Sequence, residues 1–357
     1  MNAADGMNYA PEGKPRPVCR EGDFVIAAAH LDHGHIYGQC NGLVEAGAVI
    51  KWVFDPDEAK VAAFLEKYPA ARAARSLDEI LEDKGVALVA AAAVPSERGP
   101  LGCRVMRAGK HYFTDKSPFT TLEQLADARI AAAETGRKYA VYYSERLHVE
   151  SAVMAGQLVQ RGAIGRVVQT LGLGPHRLNA GSRPEWFFDK ARYGGILCDI
   201  GSHQIEQFLY YTGAETADIL SARVANVAAP GFPGLEDFGE CSLRADNGAS
   251  GYLRVDWLTP GGLRTWGDGR MFILGTEGYI ELRKYVDIAT ERGGEQLLLV
   301  DGGGEHRIEC AGQVGYPFFG ELILDCLEGT ERAMTQEHAF SAAELCLKAQ
   351  LLAEKAG

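Results

Sequence analysis

DFVIAAAHLDHGHIYGQ, residues 23–39, decides how the chain is read. An unbroken apolar run ends in a turn carrying His30, His33 and His35 with Asp32, and helical spacing follows at Ile36, Cys40, Leu43 and Val44. Imidazole and carboxylate are common ligands of zinc and iron, so the turn in isolation reads as a metal cluster. Its flanks argue otherwise. A buried strand entering a helix through a tight turn is where a dinucleotide fold sets a pyrophosphate, against the N–H groups of the helix N-terminus.

The glycine pattern of that turn is degraded. Slots of a G-x-G-x-x-G at 30, 32 and 35 hold His30, Asp32 and His35, with glycine displaced to Gly34 and Gly38. Asp55 strengthens the reading. It closes the second strand, AVIKWVFD (48–55), 20 positions after His35, where a carboxylate accepts from the adenosine ribose of NAD. The competing reading has His30 and His33 simply packing at a helix start. His30 and His33 straddle a strand end and a turn, so the two rings need not share a face, and no metal is expected.

Strand and helix go on alternating. PDEAKVAAFLEKYP is a helix with proline near its start, and SLDEILED is a short helix whose Ser76 and Glu79 fit a capping box. VALVAAAAV (86–94) is a strand ending at Pro95, HYFTDK (111–116) and KYAVYY (138–143) are strands, and helices lie between them. Such alternation implies a doubly wound parallel sheet. At 357 residues, with 46% hydrophobic and 24% charged residues, two globular domains are expected. A net charge of −12 offers no basic footprint for nucleic acid or anionic membranes. Eight widely spaced cysteines without C-x-x-C fit reduced thiols in a cytoplasm. The longest apolar run is too short to span a bilayer, and residues 1–22, without a signal-peptide core, read as an arm or tail.

Three segments resemble the Gfo/Idh/MocA oxidoreductases. AGKHYFTDKSP (108–118) is similar to the family's A-G-K-H-V…E-K-P, LVQRGAIGRVV (158–168) to its entry into the second domain, and GGILCDIGSHQIEQFLYYTG (194–213) to its G-G-G-x-L-x-D-x-G-x-H-x-x-D signature. The resemblance implies an N-terminal Rossmann domain (23–148) and an α/β substrate and oligomerisation domain (149–338) with an open, mostly antiparallel sheet that pairs between subunits. A C-terminal helix (339–357) is expected to pack back on the Rossmann domain. The β-rich runs beyond 165, separated by Gly, Asn and Asp turns, agree independently. An NAD-dependent dehydrogenase acting on a secondary hydroxyl of a sugar, polyol or sugar derivative is implied, as a homodimer or homotetramer. A lyase or hydrolase that oxidises its substrate transiently, and a non-catalytic dinucleotide-binding regulator, stay open.

A hydroxyl that loses hydride from its carbon also loses a proton, so the site needs a base and a cation near oxygen. By resemblance Lys116 fills the lysine slot of E-K-P, and Asp199 and His203 fill the D-x-x-x-H slots. If DIGSHQIEQFLYY opens a helix, those two lie one turn apart on one side. Asp199 could instead cap that helix. His30, His33, Gly34, His35, Ile36, Asp55, Pro95, Lys116 and Trp186 are the candidate cofactor contacts. Glu145, Arg146, Arg183 and Tyr193 join Lys116, Asp199 and His203 as substrate candidates, and each of the four could equally be structural. Asp55 without an adjacent arginine favours NAD over NADP, and Lys60 is the nearby cation that could rescue NADP. Three departures stand out: Ser117 where the family has proline, Phe187 after Trp186 where many members have arginine, and the glycine-poor turn, whose bend falls to Gly34 with His33 or His35 donating to phosphate.

Overall fold

The apolar run after Asp23 forms β1 (Val25–Ala29), whose last four residues are buried, as a central parallel strand requires. The structure, a computed structural model, describes residues 6–290 and 293–356. From β1 the chain alternates through α1 (His35–Glu45), β2 (Val49–Phe54), α2 (Glu58–Lys67), β3 (Arg72–Ala73), α3 (Leu77–Glu82) and β4 (Leu88–Ala91). It continues with α4 (Pro95–Arg107), β5 (His111–Asp115), α5 (Leu122–Thr135) and β6 (Tyr139–Tyr142). These strands pair in parallel in the order β3-β2-β1-β4-β5-β6, a Rossmann-type sheet. The order reverses between β1 and β4, so the crevice beyond their C-terminal ends is the switch point where such sheets hold ligands. Local chemistry sets the helix starts. Asp57 accepts from the Ala59 N–H, Ser76 from Glu79 and Thr121 from Gln124, while Pro95 opens α4 where no N–H is needed.

The second unit holds α6 (Ser144–Leu147), α7 (Glu150–Gln160), β7 (Val167–Pro175), α8 (Lys190–Tyr193), α9 (Ile196–Asp199) and α10 (Gly201–Thr212). Seven strands follow: β8 (Ala217–Ala225), β9 (Phe238–Ala245), β10 (Ser250–Asp256), β11 (Arg270–Gly275), β12 (Tyr279–Arg283), β13 (Gln296–Asp301) and β14 (Gly304–Glu309). The sheet order is β14-β13-β12-β11-β7-β10-β9-β8, with β7 and β10 parallel and the other pairs antiparallel. One face lies under α10, closely enough that a Cβ on Gly172 or Gly251 would stand 2.6 Å from Gln204 or 2.7 Å from Phe208. The other face carries Tyr252, Leu171 and Phe272 in register across β10, β7 and β11, with Leu171, Leu274 and Tyr279 exposed.

The two units are Met7–Tyr142 with Pro317–Phe340, and Tyr143–Tyr316 with 341–356 and Gly6. These bounds differ from 148/149 and 338/339, and the C-terminal segment divides the other way from the sequence expectation. Of α11 (Pro317–Glu328), Phe318 lies 5.9 Å from the Phe113 ring and Phe319 6.2 Å from Tyr142, with Phe319 also filling the space over Gly42 in the parallel-sheet unit. The end of α12 (Gln336–Ala356) belongs to the second unit instead, because Gln350 accepts from the Leu197 N–H at 3.2 Å and donates to Glu236 at 2.9 Å. Residues 1–5 of the expected arm, and Gly357, lie outside the described residues. The rest of that arm is no loose tail, since polar contacts fasten residues 11–18 to the C-terminal half of α1 and the residue after it. Asn41 donates to the Pro11 carbonyl at 3.2 Å, Gly13 N–H to Glu45 at 2.7 Å, and Val18 N–H to the Ala46 carbonyl at 2.9 Å. Among the described residues no helix is long and apolar enough to cross a membrane.

Candidate cofactor and substrate sites

The turn after β1 is stitched to the strands on either side. His30 N–H donates to the Phe54 carbonyl at 2.9 Å, the His30 carbonyl accepts from Ala92 at 3.0 Å, and His33 N–H donates to Ala92 at 3.0 Å. His30 carries the bend with a left-handed φ of 53°, whereas Gly34 is right-handed at −62°, which corrects the expectation that Gly34 makes the tight turn. Glycine is needed at 34 for space: a Cβ there would stand 2.5 Å from Asn8 and 2.7 Å from the Met7 carbonyl. Gly34, the N-cap of α1, offers no side chain of its own, and the first N–H of the helix, that of His35, is met by His33 Nδ1 at 3.2 Å. Ile36 in the first turn of α1 and Pro95 in the first turn of α4 are buried beside the switch point. Asp55, just past β2, accepts from the N–H groups of Leu31 at 2.6 Å and Asp57 at 2.8 Å. Helix terminus, carboxylate and topology together fit a dinucleotide.

His33 and His35 turn inward to Asp115 at the end of β5, at 3.4 and 2.9 Å from Nδ1. This removes the Nδ1 atoms from the role of phosphate donors. His33 Nδ1 accepts from the His35 N–H at 3.2 Å, so it bears no proton, and burial followed by His35 pushes that imidazole well below its ordinary range. His35 Nδ1 must then be the donor to Asp115. Burial opposes charge on Asp115, but His35, Arg98 and His33 hold its carboxyl well below the usual carboxylate range. Donor atoms of His33, His35 and Asp115 lie within 4.8 Å of one another, close enough for a metal. The carboxylate is already committed, however, to the His35 proton and to Arg98 at 3.3 Å, and added cationic charge would meet that guanidinium. Lys116 follows directly, buried, with its peptide to Ser117 in the cis form. Arg98, fully buried in α4, donates to the Ala93 carbonyl at 2.6 Å, to Ser117 at 3.2 Å and to the Lys116 carbonyl.

In the second unit Asp199 ends α9 and His203 lies in the first turn of α10, with Ile200 between the two helices in αR conformation. The chain is thus helical through both residues, and α10 has no side-chain cap, so Asp199 does not cap it. Both side chains are buried. Glu145, close enough to His203 to feel its charge, is a buried carboxylate 2.8 Å from Lys284 Nζ, 2.9 Å from Gln204 Nε2 and 3.8 Å from His176 Nε2. Burial opposes its charge, yet Lys284, His203 and His176 hold its carboxyl down at about 2. The other substrate candidates are engaged elsewhere. Arg146 grips Glu206 at 2.7 and 2.9 Å and stacks 3.9 Å over Tyr210. Arg183 donates to the Leu178 carbonyl at 2.9 Å and lies on Phe187 and Trp257, while the Tyr193 hydroxyl accepts from the Glu236 N–H at 2.9 Å. Trp186, expected at the cofactor, is buried in this unit beside Phe187, which takes an apolar place against Trp257.

Sequence reasoning missed Arg98, Asp115 and Lys284. Arg98 sits in SERGP, which reads as an exposed helix turn, and Lys284 meets Glu145 across 139 positions. Lys110 and His111 at the start of the strand gave no sign that Asp115 faces inward. The alternating burial of β5 that would separate them is absent, because every residue of that strand is buried.

Comparison with known proteins agrees with the two-unit fold. Residues 32–143 match the oxidoreductase family model described as an NAD-binding Rossmann fold, and residues 153–281 match the GFO/IDH/MocA C-terminal domain. The chain is 24% identical over 292 residues to scyllo-inositol 2-dehydrogenase (NAD(+)) of Bacillus subtilis, covering 78% of this chain and 81% of the relative. It is 28% identical over 152 residues to a D-xylose dehydrogenase of Paenarthrobacter nicotinovorans, 41% of this chain and only 39% of that protein's length. A solved Erwinia carotovora atroseptica protein, assigned to the oxidoreductases, superposes with a TM-score of 0.90 at 50% identity over 93% of this chain and 99% of its own. Levoglucosan dehydrogenase, solved with NADH and levoglucosan, shares the fold at a TM-score of 0.78 and 18% identity, over 94% of this chain and 98% of its own. On the strength of both domain matches, the chain belongs to the Gfo/Idh/MocA family of oxidoreductases.

Proposed function

We propose that the protein is an NAD-dependent dehydrogenase acting on a secondary hydroxyl of a sugar, polyol or sugar derivative. The observation that carries this reading is a buried lysine, Lys116, fixed at the C-terminal end of a switch-point sheet by Arg98 and next to a fully committed Asp115. When bound, the nicotinamide supplies the hydride acceptor. The chain's own residues then divide the remaining work. Lys116 stabilises negative charge on the substrate oxygen, His203 takes its proton, and Asp199 orients the substrate or the imidazole. Glu145 and Lys284 fix the polar surroundings of His203. Asp55 holds the ribose of NAD, and α1 faces its phosphates. Arg146, Arg183 and Tyr193 serve the protein scaffold.

The apolar face of the second sheet favours a dimer or tetramer in which a second copy covers it. Eight free cysteines, six of them buried, suit the reducing cytoplasm.

The test is a panel of sugars and polyols offered to the purified protein with NAD, following the absorbance of the reduced cofactor. Substrate-dependent reduction is expected, and it should be lost in Lys116→Ala. A panel silent throughout, from protein that binds NAD, would overturn net dehydrogenation in favour of transient oxidation or regulation.

A further inference from the structure

Lys60 is the cation on which NADP binding would depend, and the structure shows it already engaged. Its ammonium lies 2.6 Å from Asp32 and 3.7 Å from Asp55, tying α2 to the turn after β1. Burial disfavours that charge, but Asp32 first, then Asp55 and Asp57, hold the lysine above its ordinary range. Asp55 is buried and spends one oxygen on Leu31 N–H and the other on Asp57 N–H, so it is fixed in place. Asp32 and Lys60 keep 21% and 34% of their side-chain surface exposed, which is the geometry of a pair at the rim of a site. Asp32 also occupies a position of the turn where a glycine would carry no charge at all.

We propose that Asp32 is a specificity-determining residue: by engaging Lys60 it withholds this cation from a 2′-phosphate and keeps the pocket beside Asp55 selective for a dinucleotide with a free 2′-hydroxyl. The cluster of two carboxylates and one ammonium carries a net negative charge. A 2′-phosphate arriving there meets like charge, and Lys60 can answer it only by leaving Asp32. A 2′-hydroxyl makes no such demand, since it donates to Asp55. Discrimination in this chain is therefore shared between Asp55, which rejects, and Asp32, which disarms the possible rescuer. The inference rests on the reading that Asp55 faces the adenosine ribose.

The experiment measures dissociation constants of NADH and NADPH by their fluorescence, in the parent, Asp32→Asn, Asp32→Ser and Asp32→Asn/Lys60→Gln, with folding verified by circular dichroism. In the parent, NADH should bind more tightly. Removing the Asp32 charge should shift the NADPH-to-NADH affinity ratio toward NADPH by about two- to fivefold, the scale of one partly exposed ion pair regained, and the double variant should return it to the parent value. Folded Asp32 variants that bind NADH with the parent ratio would overturn the proposal, and so would equal loss of both dinucleotides, which would make Asp32 a residue of loop shape. A parent that binds neither cofactor would overturn the site reading itself, a result distinct from an unmoved ratio.

Discussion

Arg98 donates from one buried guanidinium to the main-chain carbonyls of both Lys116 and Ser117. It lies at the same time 3.3 Å from the Asp115 carboxylate, so a single side chain holds the backbone that leaves the lysine and neutralises the acid before it. A lysine whose stem is long and flexible is thereby anchored at its root. The rest of its reach is left to the side chain alone.

Removing Arg98 should therefore be felt in stability before activity. Arg98→Met strands a buried carboxylate and leaves backbone acceptors unsatisfied, for an expected loss of about 3–5 kcal/mol in urea unfolding. Arg98→Met/Asp115→Asn should recover part of that loss, because the stranded charge is gone. Equal unfolding midpoints for the single and double variants would show that Asp115 is not what Arg98 compensates.

Glu295 makes stability fall as the pH rises. Its carboxylate accepts from the Glu150 N–H at 3.1 Å and the Ser151 N–H at 2.6 Å at the start of α7. Burial dominates and raises it from 4.5 to about 7, with those N–H groups offsetting only in part. Below about pH 4.5 both folded and unfolded chains hold the proton. Between there and about 7 only the folded chain does, so stability declines across that window and the loss is complete above it. Glu295→Gln keeps the acceptor and loses the titration. It should match the parent near pH 4 and exceed it at pH 8 by roughly 1–3 kcal/mol, read from thermal melts at the two pH values. A constant difference at both would contradict the assignment.

What could be read in the chain follows the range of the forces involved. The β1–turn–α1–β2 unit and Asp55 were visible because period and spacing are local, and Lys116 because it closes a strand in a motif. Arg98 with Asp115, and Glu145 with Lys284, were not, since each pair is joined by topology and not by spacing. The turn misled in a different way. Its histidines suggested phosphate or metal, but an inward-facing Asp115 from β5 claims His33 and His35, and nothing near 33 announces residue 115. The arm's attachment was not legible either: its Gly- and Pro-rich composition names no partner, while its backbone finds acceptors and donors on Asn41, Glu45 and Ala46.

The inward-facing histidines predict little metal. A cation among His33, His35 and Asp115 would displace the proton between His35 and Asp115 and face Arg98 at once. Elemental analysis of dialysed protein should find zinc and iron well below one atom per chain. Near-stoichiometric metal that disappears in His33→Ala would refute that electrostatic argument.

On the open face of the second sheet, Leu171 and Phe272 stand opposite one another on β7 and β11. A glutamate at either place costs little in a monomer, where solvent is at hand, but puts charge into a face covered by a second copy. Light scattering should give a dimer or tetramer for the parent and a smaller species for Leu171→Glu/Phe272→Glu, with unchanged circular dichroism. A parent that is monomeric at micromolar concentration would remove the argument.

The chemical step separates the roles of Lys116 and His203. If the imidazole is the base, the oxidative rate should climb through about pH 6 to 8 as it loses its proton. His203→Ala should then flatten that limb and lower turnover roughly 10²- to 10⁴-fold, the range expected for a lost general base, with NAD affinity within a few-fold of the parent. Lys116→Ala should cost at least as much, since it removes the charge that meets the developing alkoxide. Glu145→Gln offers a finer check, because Lys284 would lose its partner without any change in the acceptor shape offered to Gln204. That variant should displace the pH limb and leave its height largely intact, whereas a purely structural role would lower the rate equally at every pH. If Lys116 were the base instead, the limb would survive in His203→Ala and vanish in Lys116→Arg. Both residues dispensable within a few-fold, on a substrate the parent demonstrably oxidises, would reject the site.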